Sequence, residues 1–161
     1  MNAIKLLKQQ HREVEALFKQ LEKAKGSEQR REIFEKIADA LAVHTTIEER
    51  HFYPSVKQKK TEEMLLESVE EHLAIKRVIA DLLALDPGDL TFEAKAKVLE
   101  DEVEHHVEEE ERDLFPKVEK RFGRSELAEI GQAMERTREE LLAEGSPRQA
   151  VPSETAHAAS I

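Results

Sequence analysis

The chain has 161 residues, room for one domain with a sizeable core. It carries 39% hydrophobic and 37% charged residues but only 5 Gly, 5 Pro and 4% aromatics, which favours an all-α fold over one built from strands and turns. With 35 acidic residues against 25 Lys and Arg, the formal charge is -10 and no basic stripe follows a phosphate backbone; the absence of cysteine excludes disulfides, thiolate catalysis and sulfur-held metal.

The opening MNAIKLLKQQ is too polar for an export signal, and no apolar run approaches the roughly 20 residues that span a bilayer. A cytoplasmic protein with neither a membrane nor a nucleic-acid partner is the expectation. A first helix runs from about Asn2 to Ala24, because Ile4, Leu7, His11, Val14, Leu17, Phe18 and Leu21 recur at steps of three and four, and Gly26 with Ser27 ends it. A second runs from about Glu28 to Val56 with Ile33, Ile37, Leu41, His44, Glu48 and Phe52 on one face, and Pro54 kinks it or ends its regular part. Thr61 caps a third helix, which carries Leu65, Val69, His72, Ile75, Val78, Ile79 and Leu82 to the turn at Asp86–Asp89. The fourth begins near Thr91 and carries Leu99, Val103, His106, Glu110 and Leu114. Short connections make these four an antiparallel up-down four-helix bundle over residues 1–122. A short additional C-terminal helix over 125–144, capped by Ser125, completes a domain of residues 1–144, and the Pro-containing stretch 145–161 reads as a flexible tail.

The chain also repeats itself. HTTIEERHFYP from His44 overlays HVEEEERDLFP from His106 at an offset of 62, pairing His44 with His106, Glu48 with Glu110 and Pro54 with Pro116. HREVEALFKQL from His11 overlays HLAIKRVIADL from His72 at an offset of 61. Two helical hairpins of one pattern, related by a pseudo-twofold axis, are implied.

His44 and Glu48 are four residues apart, as are His106 and Glu110, so each pair shares one helix face. His11 and His72 add one imidazole each from the apolar stripes of their helices. Burying four imidazoles and two carboxylates without a cation is costly, whereas a dinuclear metal centre in a bundle core turns all six into ligands. A lone core histidine is ordinarily just hydrogen-bonded; the duplicated His/Glu pair with two phased histidines is what points to a site, and its donors leave iron, manganese, copper and zinc open. His105 and Glu109 have the same spacing, but His105 has Asp101, Glu102 and Glu109 as helical neighbours and is placed on a solvated face. His51 lies near the inner face, with Asp113 as its counterpart, which suits a rim position or one behind the ligands. Phe52, Tyr53, Leu114 and Phe115 read as packing at the bundle end, with a polar gate as the alternative for Tyr53. Glu49 and Arg50 are expected to face solvent.

With these residues the chain resembles the hemerythrin-like, or HHE cation-binding, family over about residues 1–122, in the bacterial type with four histidines and two glutamates. The carriers are His11, the stretch His44–Pro54, His72 and the stretch His106–Pro116. The resemblance implies a four-helix bundle holding two non-haem Fe ions bridged by oxo or hydroxo, with His11, His44, His72 and His106 as ligands and Glu48 and Glu110 bridging. Oxygen carriers of the family have a further histidine where this chain has Lys76, so at about six ligands per iron roughly one position on each stays open. Glu15 or Glu71 could occupy one of them, and open positions weaken the case for a dedicated carrier. The implied function is to bind or react with dioxygen, peroxide or nitric oxide in sensing, detoxification or redox and iron handling. An external electron donor is implied, because nothing resembles a flavin or nicotinamide loop. The alternatives are a non-enzymatic protein that binds oxygen or iron reversibly and a metal-free helical interaction module. Whether the chain is an enzyme, and its oligomeric state, are left open by the sequence.

Overall fold

The computed structural model describes residues 1–161. Helix α1 (Ala3–Lys23) begins at Asn2, whose side-chain Oδ1 accepts the Lys5 N–H at 2.9 Å and so satisfies one of the free donors of the first turn. The chain reverses at Gly26, where φ of +84° suits glycine, into α2 (Ser27–Ile47). A π turn over Glu48–Phe52 continues α2 into the short α3 (Tyr53–Val56). Then come α4 (Glu62–Leu83), α5 (Phe92–Glu109), a second π turn over Glu110–Leu114, α6 (Phe115–Arg121) and α7 (Arg124–Ala143). No helix is long and apolar enough to cross a membrane.

The two π turns share one cause. Pro54 and Pro116 lack an N–H, and their rings crowd the carbonyls of Arg50 and Arg112 one turn before, so the hydrogen-bond ladder widens upstream of each. The Tyr53 N–H bonds to the Glu48 carbonyl and the Phe115 N–H to the Glu110 carbonyl, five residues back in both copies. The expected kink at Pro54 is therefore a widened turn, and it changes which side chains face inward.

Two helix starts differ from the expectation. Thr61 does precede α4, but its hydroxyl donates to the Val56 carbonyl at 2.7 Å and accepts the Gln58 N–H at 2.9 Å, closing the preceding loop. At α7 the cap is Gly123, whose N–H is accepted by Glu126 Oε2 at 2.9 Å, and Ser125 lies inside the helix.

The core divides into two apolar clusters of 16 buried residues each, so neither end of the bundle dominates. Leu7, Ile47, Phe52, Val69 and Phe115 belong to one cluster, joined by Leu127 and Met134 from α7. Val14, Phe34, Ile37, Leu41, Ile79 and Leu99 belong to the other. Along each long helix the candidate histidine falls where one cluster gives way to the other: His11 between Leu7 and Val14, His44 between Leu41 and Ile47, His72 between Val69 and Ile75, His106 between Val103 and Leu114.

The stretch 145–161, expected to be a flexible tail, is laid along the bundle instead. A 3-10 segment, Pro147–Glu154, packs on α2 and α4 with Val151 only 2% exposed. Arg148 pairs with Asp39 at 2.8 Å and with Glu35 at 3.3 Å. One apolar anchor beside one matched arginine makes no period, so periodicity could not register it.

Helix α7 closes against the first turn of α1 through the buried Gly131, where an added Cβ would run into the Met1 carbonyl and the Ala3 N–H. Gly131→Ala is expected to push α7 off α1 and lower stability by about 1–3 kcal/mol, read as a lower denaturant midpoint. An unchanged midpoint would contradict this close approach.

Candidate metal centre

The six candidate ligands meet in one layer, none more than 4% exposed. The rings form two edge-to-face pairs, His11 with His44 at 4.9 Å and His72 with His106 at 4.7 Å between centroids. Glu48 places Oε1 3.3 Å from His44 Nε2 and Oε2 2.9 Å from His72 Nε2. Glu110 Oε1 lies 3.3 Å from both His11 Nε2 and His106 Nε2. Each carboxylate thus reaches at least one histidine of each pair, Glu48 lying 3.9 Å from His106 Nε2 as well, and all four Nε2 atoms turn toward the carboxylates.

Every Nδ1 is held from behind. His11 contacts Glu111 at 2.8 Å, His44 contacts Gln10 at 2.7 Å, His72 contacts Glu49 at 2.7 Å and His106 contacts Glu71 at 2.8 Å. An oxygen acceptor there keeps the proton of a neutral ring on Nδ1 and leaves the Nε2 lone pair aimed inward. Sequence reasoning missed Glu111 and Gln10, and it put Glu49 in solvent; its side chain is 11% exposed. The reason is the π turn, which carries consecutive residues Glu48 and Glu49, and likewise Glu110 and Glu111, toward the interior. The Glu-Glu doublet six residues before a proline, present in both copies, is the signal that could have revealed them.

Other candidates fall outside the layer. Glu71 supports His106 from behind, and Glu15 is 3.4 Å from Arg12. His51 turns to α7, with Nε2 2.7 Å from Thr137 Oγ1. His105 is 60% exposed and groups with Glu109 and Glu71 at 3.2 and 3.4 Å, on the face that the sequence assigns to solvent.

Tyr53 is more than a packing residue at the bundle end. Its Oη lies 3.0 Å from Glu48 Oε2, 2.9 Å from Glu110 Oε2, 3.1 Å from His72 Nε2 and 3.4 Å from His106 Nε2. Its counterpart Phe115 stacks on His11 at 5.9 Å. The pseudo-twofold site is therefore asymmetric, with a hydroxyl on the His72/His106 side and a hydrocarbon ring on the His11/His44 side. A cavity of about 10 Å³, lined by Gln10, His11, His44, Thr45 and Ile75 among others, adjoins the latter side and also touches His106.

Burial drives the His44 pKa down to about 4, outweighing the attraction of Glu48. Burial acts the same way on His72 and His106, but their carboxylates prevail: Glu48 and Glu49 raise His72, and Glu110, Glu48 and Glu71 hold His106 well above its ordinary value. Conversely, burial opposes the charge on Glu48 and Glu110, yet the facing imidazoles keep Glu48 below and Glu110 well below the usual carboxylate range. Burial, followed by the charges of Glu110 and Glu48, keeps the Tyr53 hydroxyl protonated.

The donor set fits a metal. His11 Nε2, His44 Nε2, Glu48 Oε1 and Glu110 Oε1 are buried with no hydrogen-bond partner. Those four residues offer donor atoms within 4.8 Å of one another, and Glu48, His72 and His106 form a second such group. Imidazole nitrogens and carboxylate oxygens converging in a dry layer are satisfied by cations.

The model of the hemerythrin HHE cation binding domain matches residues 2–118. The chain belongs to the hemerythrin HHE cation-binding family. A solved structure of a hemerythrin HHE cation binding domain-containing protein, the Rv2633c homolog from Mycobacterium kansasii, matches with a TM-score of 0.79 at 25% identity, over 94% of this chain and 97% of that one. A DNA nickase of Nostoc sp. (strain PCC 7120 / SAG 25.82 / UTEX 2576) is 30% identical over 115 residues, 71% of this chain and 33% of that protein. The chain thus spans about a third of the length of that relative. As a hemerythrin HHE protein it has the all-α bundle expected from its sequence, with clustered residues matching a four-histidine, two-glutamate site.

His106→Ala and His44→Ala are expected to lose metal to a similar extent in elemental analysis of the purified hemerythrin-like protein, while His105→Ala retains it. Equal loss at positions 105 and 106 would overturn the assignment by facing. A pH dependence also follows for the metal-free protein. The raised values of His72 and His106 contribute stability that is complete below their ordinary 6.5 and lost as pH rises through the folded values. The lowered Glu48 and Glu110 contribute above their ordinary 4.5 and lose that contribution in acid, and His44 opposes folding only below 6.5. Once pH exceeds about 7, where the His44 penalty is gone, the melting temperature should fall as pH rises further; a rise there would contradict the ion-paired layer.

Proposed function

We propose that the protein holds two non-haem irons, one by His11 and His44 and one by His72 and His106, with Glu48 and Glu110 bridging them together with oxo or hydroxo. In this reading it binds or reacts with dioxygen, peroxide or nitric oxide. The observation that carries the proposal is that each carboxylate reaches one histidine from each pair. When bound, the iron pair supplies two adjacent redox-active cations able to exchange two electrons with a small oxidant.

The chain's own residues prepare that chemistry. Glu111, Gln10, Glu49 and Glu71 fix the imidazole orientations through Nδ1. Val14, Leu41, Ile75, Val103 and Val107 make the walls beside His11 and His44 apolar and exclude bulk water. The cavity there, about 10 Å³, is at most the size of one water and so leaves no room for a large substrate. Tyr53, whose one hydroxyl proton is within reach of either Glu48 or Glu110, fills the opposite side, which directs a small ligand to the His11/His44 side. Electrons come from an external donor, since the chain carries no flavin or nicotinamide motif.

The test is an absorption spectrum of the anaerobic, reduced, iron-loaded protein before and after dioxygen, peroxide or nitric oxide is added. New charge-transfer bands with two irons per chain are expected. Purified protein from iron-supplied cells without near-stoichiometric metal, or a spectrum unmoved by all three, would rule the proposal out. Tyr53→Phe is expected to retain both metals and to take up about two equivalents of nitric oxide where the wild type takes about one. One equivalent in both would show that Tyr53 does not close its side.

A further inference from the structure

The four groups behind the imidazoles are not equivalent. Gln10 behind His44 is neutral, and the carboxylates behind His11 and His106 meet the exposed Arg12 and His105. Glu49 behind His72 is backed by a buried cation. Lys76 Nζ donates to Glu49 Oε1 at 2.9 Å, and the lysine side chain is only 7% exposed. The same ammonium lies 3.1 Å from Glu154 Oε1, at the end of the Pro147–Glu154 segment. Burying an ammonium is costly unless carboxylates surround it, and here one comes from the bundle and one from the C-terminal strap.

The strap is fastened on both sides of that lysine. Val151 and Arg148 hold it to the bundle before Glu154, and Arg77 donates to the Thr155 carbonyl at 3.0 Å just after it. Together, strap and bundle enclose part of a cavity of about 280 Å³ lined by Thr46, Glu49, Arg50, Lys76 and Glu154, among others. With the strap displaced, Lys76 would lose Glu154 and face water.

We propose that Lys76 is a positioning residue of the metal centre and that the C-terminal strap sets its effect. Glu154, Lys76, Glu49 and His72 Nδ1 form a relay coupling strap docking to the electron affinity of the metal at His72, which rests on the di-iron reading. Glu49 draws the Nδ1 proton of His72, makes the ring a stronger donor and favours the ferric state. Lys76 opposes that pull, and Glu154 relieves the opposition by sharing the ammonium. The trio carries two carboxylates and one ammonium, a net single negative charge. Neutralising Glu154 therefore raises the reduction potential, whereas neutralising Lys76 lowers it. Loss of packing alone would not give opposite signs.

The experiment is redox titration of full-length, iron-loaded wild type, Glu154→Gln, Lys76→Met and Lys76→Arg. Glu154→Gln should shift the ferrous-to-ferric ratio at fixed potential several-fold toward ferrous, and Lys76→Met several-fold toward ferric; about 59 mV corresponds to a tenfold change. Lys76→Arg should stay near wild type. Shifts of the same sign, or no shift in Glu154→Gln, overturn the relay. Should Lys76→Met fail to fold, Glu154→Gln still decides, because that residue is 38% exposed. A metal-independent arm follows the His72 Nδ1 resonance by nitrogen-15 NMR in metal-free protein. Its displacement in Glu154→Gln supports the relay and its constancy overturns it. A displaced resonance in a protein that takes up no iron would count against the di-iron reading alone.

Discussion

Six ionisable side chains share one buried layer, and the arrangement of the bundle answers the cost of placing them there. Ion pairing within the layer covers part of that cost, since Glu48 and Glu110 each face imidazoles on two sides. It does not cover all of it: two nitrogens and two oxygens stay unpartnered at the centre. A bound pair of cations, as proposed, would satisfy the unpartnered atoms and screen the two carboxylates from each other. The apolar clusters above and below keep the layer dry, which strengthens every interaction within it.

The positions of Pro54 and Pro116 matter as much as the ligands. A regular α-helix could present His44 with Glu48, or His106 with Glu110, but would turn the next glutamate about 100° away. The widened turn ahead of each proline lets one helix supply a carboxylate to the central layer and, from the following residue, a carboxylate that orients a histidine on a different helix. Glu49 orients His72 on α4 and Glu111 orients His11 on α1, so the two hairpins serve each other. The duplicated sequence builds this cross-support twice, and the substitution of Phe115 for the tyrosine seen at position 53 then makes the two sides chemically different.

The four helices, the burial of His106 against the exposure of His105 and the clustering of the six residues are legible because they rest on periodicity and on a long internal repeat. What periodicity hid was whatever departs from a regular helix. Glu49 was placed in solvent because a helical wheel assumes an unbroken turn. The Tyr53 ring does pack, as its place in the pattern implies, and only the position of its hydroxyl reveals the second role. The course of residues 145–161 depends on Val151 joining an apolar cluster and Arg148 meeting Glu35 and Asp39 on α2, a matter of surface fit with no trace in local composition.

The nitrogen and oxygen donor set and the unpartnered atoms at its centre fit a metal, and two metals in one layer is the proposal they support. Anomalous diffraction at the iron edge from crystals of iron-loaded protein tests this most directly. The account predicts two peaks, one beside His11 and His44 and one beside His72 and His106, both within bonding reach of Glu48 and Glu110. A single peak, or none in that layer, would contradict it.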